Sequence, residues 1–142
     1  MTDGIQRADK QLNAQEREVP VDAYIAAASA ERGAPENKQN SWAENRLSGL
    51  IRQRPIDDDS LQEVWDVLLT ISQRSLSDKA IGCFAAGPLE DFLAHHGEAI
   101  IERVEVQARC DPDFKHLLGG VWQNAMSETV WKRVQTARGN VW

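Results

Sequence analysis

Three histidines, two cysteines and a row of glutamates are the side chains of this sequence best suited to chemistry. His95 and His96 are adjacent. Successive side chains on a regular helix diverge by about 100°, so the two imidazoles are not expected to face one ligand. Asp91 lies four residues before His95 and is spaced to pair with it. At a helix C-terminus, however, a cationic imidazole is favoured by the helix dipole whether or not it belongs to a site. Glu98, Glu102 and Glu105 fall at i, i+4 and i+7 and share one helix face, and Arg109 follows Glu105 in the order that favours a salt bridge. Convergent carboxylates bind divalent cations or move protons. A di-metal helical bundle needs Glu-x-x-His pairs from several helices, and the sequence has none. Cys83 sits in an apolar run and reads as core packing. Cys110 precedes Asp111, whose charge opposes the thiolate a nucleophile requires. No phosphate loop, dinucleotide fingerprint, nucleophile elbow or zinc spacing occurs, and Gly119-Gly120 alone signals none of them. The residues assemble no catalytic set, no metal site and no cofactor site.

The elements that must position these groups are all helical. Residues 1–18 are polar, with Ile5 and Leu12 as the only sizeable apolar groups, and read as a fraying or loosely helical segment. One helical domain is expected over 19–142. Val21, Tyr24, Ile25 and Ala28 recur at helical spacing, and Gly33 and Pro35 end that helix. A second helix is expected from Glu36 to Gln53, or from a capping box at Ser41 and Glu44, stopping before Pro55. The third opens at the acids Asp57, Asp58 and Asp59, with Ser60 and Glu63 as its capping box and Leu61, Val64, Trp65, Leu68 and Leu69 as its apolar stripe. A buried helix over 78–86 is interrupted by Gly87-Pro88, and Pro88 starts another that Gly97 closes. Glu98 to Arg109 forms the next. Asp111-Pro112 caps a short helix carrying Phe114, Leu117 and Leu118. Ser127 caps the last, through Arg138, with Met126 and Trp131 as its hydrophobic staple. No run has the period-two alternation of a strand. The expectation is an all-α protein of seven or eight short helices, in an antiparallel helical-hairpin array or an irregular bundle, with no sequence repeat.

Composition narrows the class. The chain has 142 residues and a formal net charge of -6. Its longest uncharged apolar stretch, Ala80 to Leu89, is far short of the roughly 20 residues of a membrane span, so no membrane association is expected. The polar start MTDGIQRADK reads as no secretory signal, and two cysteines make no disulfide scaffold, which together point to the cytoplasm. The charge is uneven. Residues 1–56 balance, residues 57–113 carry thirteen acids against four bases, a net -9, and residues 114–142 carry +3. An acidic chain without clustered Lys and Arg is no general nucleic-acid binder. Five tryptophans are many for this length. Trp65 lies in an apolar stripe and should be core, as should most of Trp42, Trp122 and Trp131. Trp142 is the one expected at the surface, where an indole anchors interfaces, although it could pack back onto the core.

The string AAGPLEDFLAHHGEAIIERVEVQARCDPDFKHLLGGVW, residues 85–122, resembles the signature of an uncharacterised bacterial family known as domain of unknown function 6869. The features that carry the likeness are Ala86-Gly87-Pro88-Leu89-Glu90-Asp91, His96-Gly97, Glu105, Ala108, Asp111-Pro112, Phe114 and Val121-Trp122. Pro55 and Trp65 upstream fit its usual pattern of a proline followed by a Trp-bearing helix. The resemblance spans about residues 45–135. It implies no activity, because the family has none established. Small acidic bacterial proteins of this kind also resemble immunity or accessory proteins of toxin systems in size and charge.

Two functional expectations follow. In the first, the protein is a non-catalytic interaction module. Its partner is a protein with a basic surface, met by an acidic face of Asp57, Asp58, Asp59, Glu98 and Glu102. In the second, Glu90, Asp91, His96 and Glu105 form a polar cluster, joined by His95 around a helical cleft, in a small enzyme or ligand-binding domain. A homodimer built on exposed tryptophan and the C-terminal helix is a third arrangement.

Overall fold

The structure, a computed structural model, describes residues 14–31 and 34–142, with side chains throughout except in the helical stretches 14–20 and 36–40. All regular structure among them is helical. The expectation for 1–18 falls on residues 1–13, which lie outside the described residues, and on 14–18, which are helical. Gly33 also lies outside them. Among the described residues there are six continuous helices where seven or eight were expected, because the chain runs unbroken from Asp78 to Cys110 through both expected interruptions. Two compact units can be distinguished, one up to Ser75 and the other Leu76–Trp142.

The first unit contains α1 (Ala14–Ser29), α2 (Pro35–Ile51) and α3 (Asp58–Ser72). Helices α1 and α2 pack as a hairpin, and α1 also meets α3. The buried positions step by three or four residues, as a helix face requires: Val21, Tyr24 and Ala28 on α1, Ala43, Leu47 and Ile51 on α2, and Leu61, Trp65 and Leu68 on α3. Pro35 occupies the first turn of α2, a place where its missing N–H costs nothing, so the Ser41–Glu44 box is interior and starts no helix. The cap of α3 is Asp57 and not Ser60. The Asp57 carboxylate accepts the Ser60 backbone N–H at 2.7 Å, because Asp57 holds the extended backbone a cap needs (φ -82°, ψ 167°). Asp58 and Asp59 then fill the first turn, where the dipole favours them. Arg74, just beyond α3, donates to Asp22 of α1 at 3.0 Å.

The second unit carries the candidate chemistry. Ser77 caps α4 (Asp78–Phe84), accepting the Ala80 N–H at 3.2 Å. A π-helical turn, Ala85–Leu89, follows and leads directly into α5 (Glu90–Cys110). This corrects the break expected at Gly87-Pro88. Proline cannot donate to the preceding turn and crowds its carbonyl. Widening that turn to π geometry accommodates the ring and lets the helix go on. The end expected at Gly97 is likewise a kink. His96 adopts φ -134° and ψ 19° inside α5, and the helix resumes beyond it. Asp111 caps α6 (Pro112–Leu118), accepting from Asp113 at 3.0 Å and Phe114 at 3.1 Å. Ser127 caps α7 (Glu128–Ala137), accepting from Val130 at 3.2 Å. Both caps were legible in the sequence. Helix α5 is the hub, packed against α6 and α7, with Phe84, Leu89, Phe92, Ile100, Phe114 and Val134 among the fully buried side chains. At the kink α7 comes very close to α5. A methyl group placed on Gly97 would lie 2.8 Å from a Val130 methyl.

Candidate functional site

The kink in α5 and the loop before α7 enclose the one concave feature we single out in the second unit, an open groove of about 350 Å³. Residues 93–99 of α5 form one wall. Ala125, Ser127 and Val130 form the other. His95 and His96 both line it, with ring centroids 6.2 Å apart and ring planes 45° to each other. Sequence reasoning expected the two rings to diverge. They share a groove because His96 leaves helical geometry, so the regular angular step does not hold there. The His96 ring is buried and leans on Phe92 with centroids 5.7 Å apart. Glu98, exposed, contributes the groove's carboxylate. No ion pair to Glu98 exists among the described residues.

Glu90 has a different task. Its carboxylate accepts the backbone N–H of Trp122 at 2.8 Å and the side-chain amide of Asn124 at 3.2 Å. One half-buried acid at the start of α5 thereby fixes the loop that carries Trp122. Asn124 takes the left-handed conformation, φ 50°, which asparagine tolerates better than most residues. The amide that Glu90 holds is therefore set by a turn suited to its own residue type. Trp122 itself is 64% exposed, more than Trp142 at 44% and Trp42 at 42%.

Trp142 is exposed, as expected, and also packs back: its indole stacks on His116, with centroids 5.2 Å apart, and donates to the His116 carbonyl at 2.7 Å. The correction falls on Trp122 and Trp42, expected in the core and found exposed. Gly119 and Gly120 leave room for that ring; a methyl on Gly120 would approach it to 2.7 Å. Trp65 is core, as expected. Trp131 is half-buried, with the Arg138 guanidinium 5.2 Å from its ring centroid. Cys83 is exposed, not core, as is Cys110. The apolar run around Cys83 buries Ala80, Phe84 and Ala85 instead, which leaves residue 83 on the outer side of α4.

Glu105 is paired with Arg133 of α7, not with the expected Arg109. Arg133 Nε donates to Glu105 at 3.0 Å and a terminal guanidinium nitrogen makes a second, shorter bond. These bonds hold the Glu105 carboxyl below its ordinary value; burial opposes them, and the attraction of Arg133 and then of Arg109 adds to the lowering. The same bonds raise Arg133, and the charge of Glu102 reinforces the rise. The residue that sequence reasoning missed is Arg133. Its position beside Val130 and Val134 on the buried side of α7 was the available signal.

The four residues of the expected polar cluster are therefore not gathered. Glu90 serves the Trp122 loop, Glu105 serves Arg133, and fifteen residues of helix, about 22 Å, separate them. Asp91 follows Glu90 in the first turn of α5. His96 alone of the four lines the groove. Of the expected acidic face, Asp57, Asp58 and Asp59 are exposed in the first unit, where Asp57 also caps α3. Glu98 and Glu102 are exposed in the second. Among the described residues no three His, Cys, Asp or Glu are placed to hold a metal ion, and no helix is long and apolar enough to cross a membrane.

The sequence profile of a family of unknown function, DUF6869, matches residues 30–141. Neither curated proteins nor solved structures yielded a match. With more than half of its length matched, the chain belongs to the DUF6869 family.

Proposed function

We propose that this DUF6869 protein is a non-catalytic interaction module whose partner is a protein presenting a basic surface. Trp122 carries the reading. Its side chain is 64% exposed, yet its backbone N–H is bound by Glu90 at 2.8 Å. A large apolar side chain carried on a loop whose backbone is already held requires less backbone ordering on binding, which suits an interface anchor. Glu98 and Glu102, exposed one turn apart on α5, give the same unit a negative flank. Against the enzyme alternative, Glu90 and Glu105 are each occupied by separate internal partners and do not converge with the histidines. An immunity or accessory role in a toxin system is the version that size and charge suggest. Cytoplasmic residence suits the two free, exposed thiols.

The test is affinity capture from cells of the source organism at low and high salt, using wild type, Trp122→Ala and the double variant Glu98→Gln/Glu102→Gln. A basic protein retained by wild type, released by salt and lost from Trp122→Ala is expected. A partner held equally by all three proteins refutes the reading. Light scattering of the isolated chain separates capture of a different protein from pairing of two copies.

A further inference from the structure

The geometry points to the groove at the α5 kink as a receptor for one arginine side chain, presented by an extended segment of the partner. This inference rests on the reading that the second unit meets a basic protein, and it names the group recognised and the place.

Three observations carry it. The first is charge: Glu98 lines the groove and makes no ion pair among the described residues. The nearby acids are less available, because Glu105 is spent on Arg133 and the charge of Glu102 already acts on that same guanidinium. Glu98 is the acid left for an external cation. The second is surface chemistry. His95, half-buried, presents a planar ring in the wall that holds Glu98, with the buried ring of His96 6.2 Å away. A guanidinium is planar, stacks on aromatic faces and grips a carboxylate with two parallel donors, whereas an ammonium is a compact, strongly hydrated point charge. The chain already seats a guanidinium on a ring elsewhere, Arg138 over Trp131 at 5.2 Å. The third is size and placement. The groove, about 350 Å³, is at the small end of ligand clefts, suited to one long side chain and not to a folded surface. Its second wall begins at Ala125, in the loop that displays Trp122. A segment crossing that loop would set its arginine in the groove and an apolar neighbour on the indole. A metal is not the favoured cation, because no three-ligand set exists among the described residues.

The inference is tested by titrating the isotope-labelled full chain with a short capped peptide, Gly-Arg-Gly, followed by NMR. Lysine and citrulline peptides of the same length are the comparisons. The expected result is saturable shifts confined to residues 93–99 and 125–130. Binding should be several-fold weaker for lysine and absent for citrulline, which keeps the shape and loses the charge. Glu98→Gln, an exposed substitution that leaves the fold intact, should weaken the arginine peptide about tenfold, as expected for a lost charge-assisted pair. Equal binding of arginine and citrulline, shifts centred elsewhere, or no saturable shift at millimolar peptide overturns the inference. The last outcome, combined with Trp122-dependent capture of a basic protein, removes the arginine receptor and leaves the interaction module standing. Peptide binding without any Trp122-dependent partner does the reverse.

Discussion

Replacing Gly97 by alanine tests whether the close approach of α5 and α7 is a real constraint. Two effects oppose each other. Alanine inside a helix is favoured over glycine by about 1 kcal/mol. The new methyl would meet the Val130 methyls at 2.8 and 3.3 Å. Val130 is itself buried, 3% exposed, and a β-branched side chain on a helix has one strongly preferred rotamer. It cannot turn aside, so α7 must shift, and overpacking of this kind costs about 1–3 kcal/mol. Gly97→Ala is therefore expected to destabilise by about 1 kcal/mol net. Gly82→Ala supplies the reference. It sits inside α4 with no atom within 4 Å of the added methyl, so only the gain applies and the variant should be stabilised by up to about 1 kcal/mol. Urea denaturation followed by circular dichroism measures both. Adding Val130→Ala to each background completes a double-mutant cycle, and a favourable coupling of about 1 kcal/mol with Gly97→Ala is expected. Two results would each refute the reasoning: a Gly97→Ala variant as stable as Gly82→Ala, or a coupling no larger than measurement error.

Glu105 makes stability depend on pH. Its folded-state carboxyl lies below the ordinary value of 4.5 because Arg133 is bonded to it. The stabilisation is therefore fully present above that value and is lost as pH falls through the lowered one. Glu105→Gln should be less stable than wild type at neutral pH, with the difference shrinking steadily as pH drops below about 4.5; a constant difference from pH 7 to 3 argues against the pair. Glu90→Gln keeps the shape but weakens a charge-assisted bond to Trp122. It should speed hydrogen exchange at the Trp122 amide several-fold without lowering helix content, and unchanged exchange would deny Glu90 its tethering role. Trp142→Ala removes an indole that is a little more than half buried and should cost about 2 kcal/mol of unfolding free energy. Loss of less than 0.5 kcal/mol, about the noise of a neutral surface change, would show that the stack on His116 contributes nothing.

Local features were legible in the sequence and distant ones were not. Asp111 and Ser127 were recognisable as caps because a cap bonds to N–H groups two or three residues on, so the evidence is contiguous. The same locality misled at Ser60. The rule for a Ser–Glu box was met, but an acid three residues earlier was better placed to cap. Pro88 and Gly97 carry strong stop signals, and both were overridden because packing against α6 and α7 holds α5 in line through a π turn and a kink. The partners of Glu90 and Glu105 lie 32 and 28 residues away in sequence. No spacing rule reaches that far, and Arg109, at the favoured local spacing, was the wrong choice for Glu105. The groove depends on one non-helical residue, His96, which a periodic reading cannot anticipate. The residue types suited to chemistry were visible from the start. Which of them face one another was decided by the α5–α7 crossing.

The uneven wetness of the tryptophans turns the chain into its own optical reporter. Trp65, 5% exposed, belongs to the unit ending at Ser75, and Trp122, 64% exposed, to the unit that follows. Opening the first unit moves Trp65 from an apolar to an aqueous setting and reddens its emission. Opening the second scarcely changes the surroundings of Trp122, whose indole is already in water, but it also wets the part-buried Trp131 and Trp142. In a Trp131→Phe/Trp142→Phe background emission wavelength therefore tracks the first unit while ellipticity tracks the helices of both. Overlaying the two melting curves from an unlabelled sample would disclose whether the units come apart in one step or in succession.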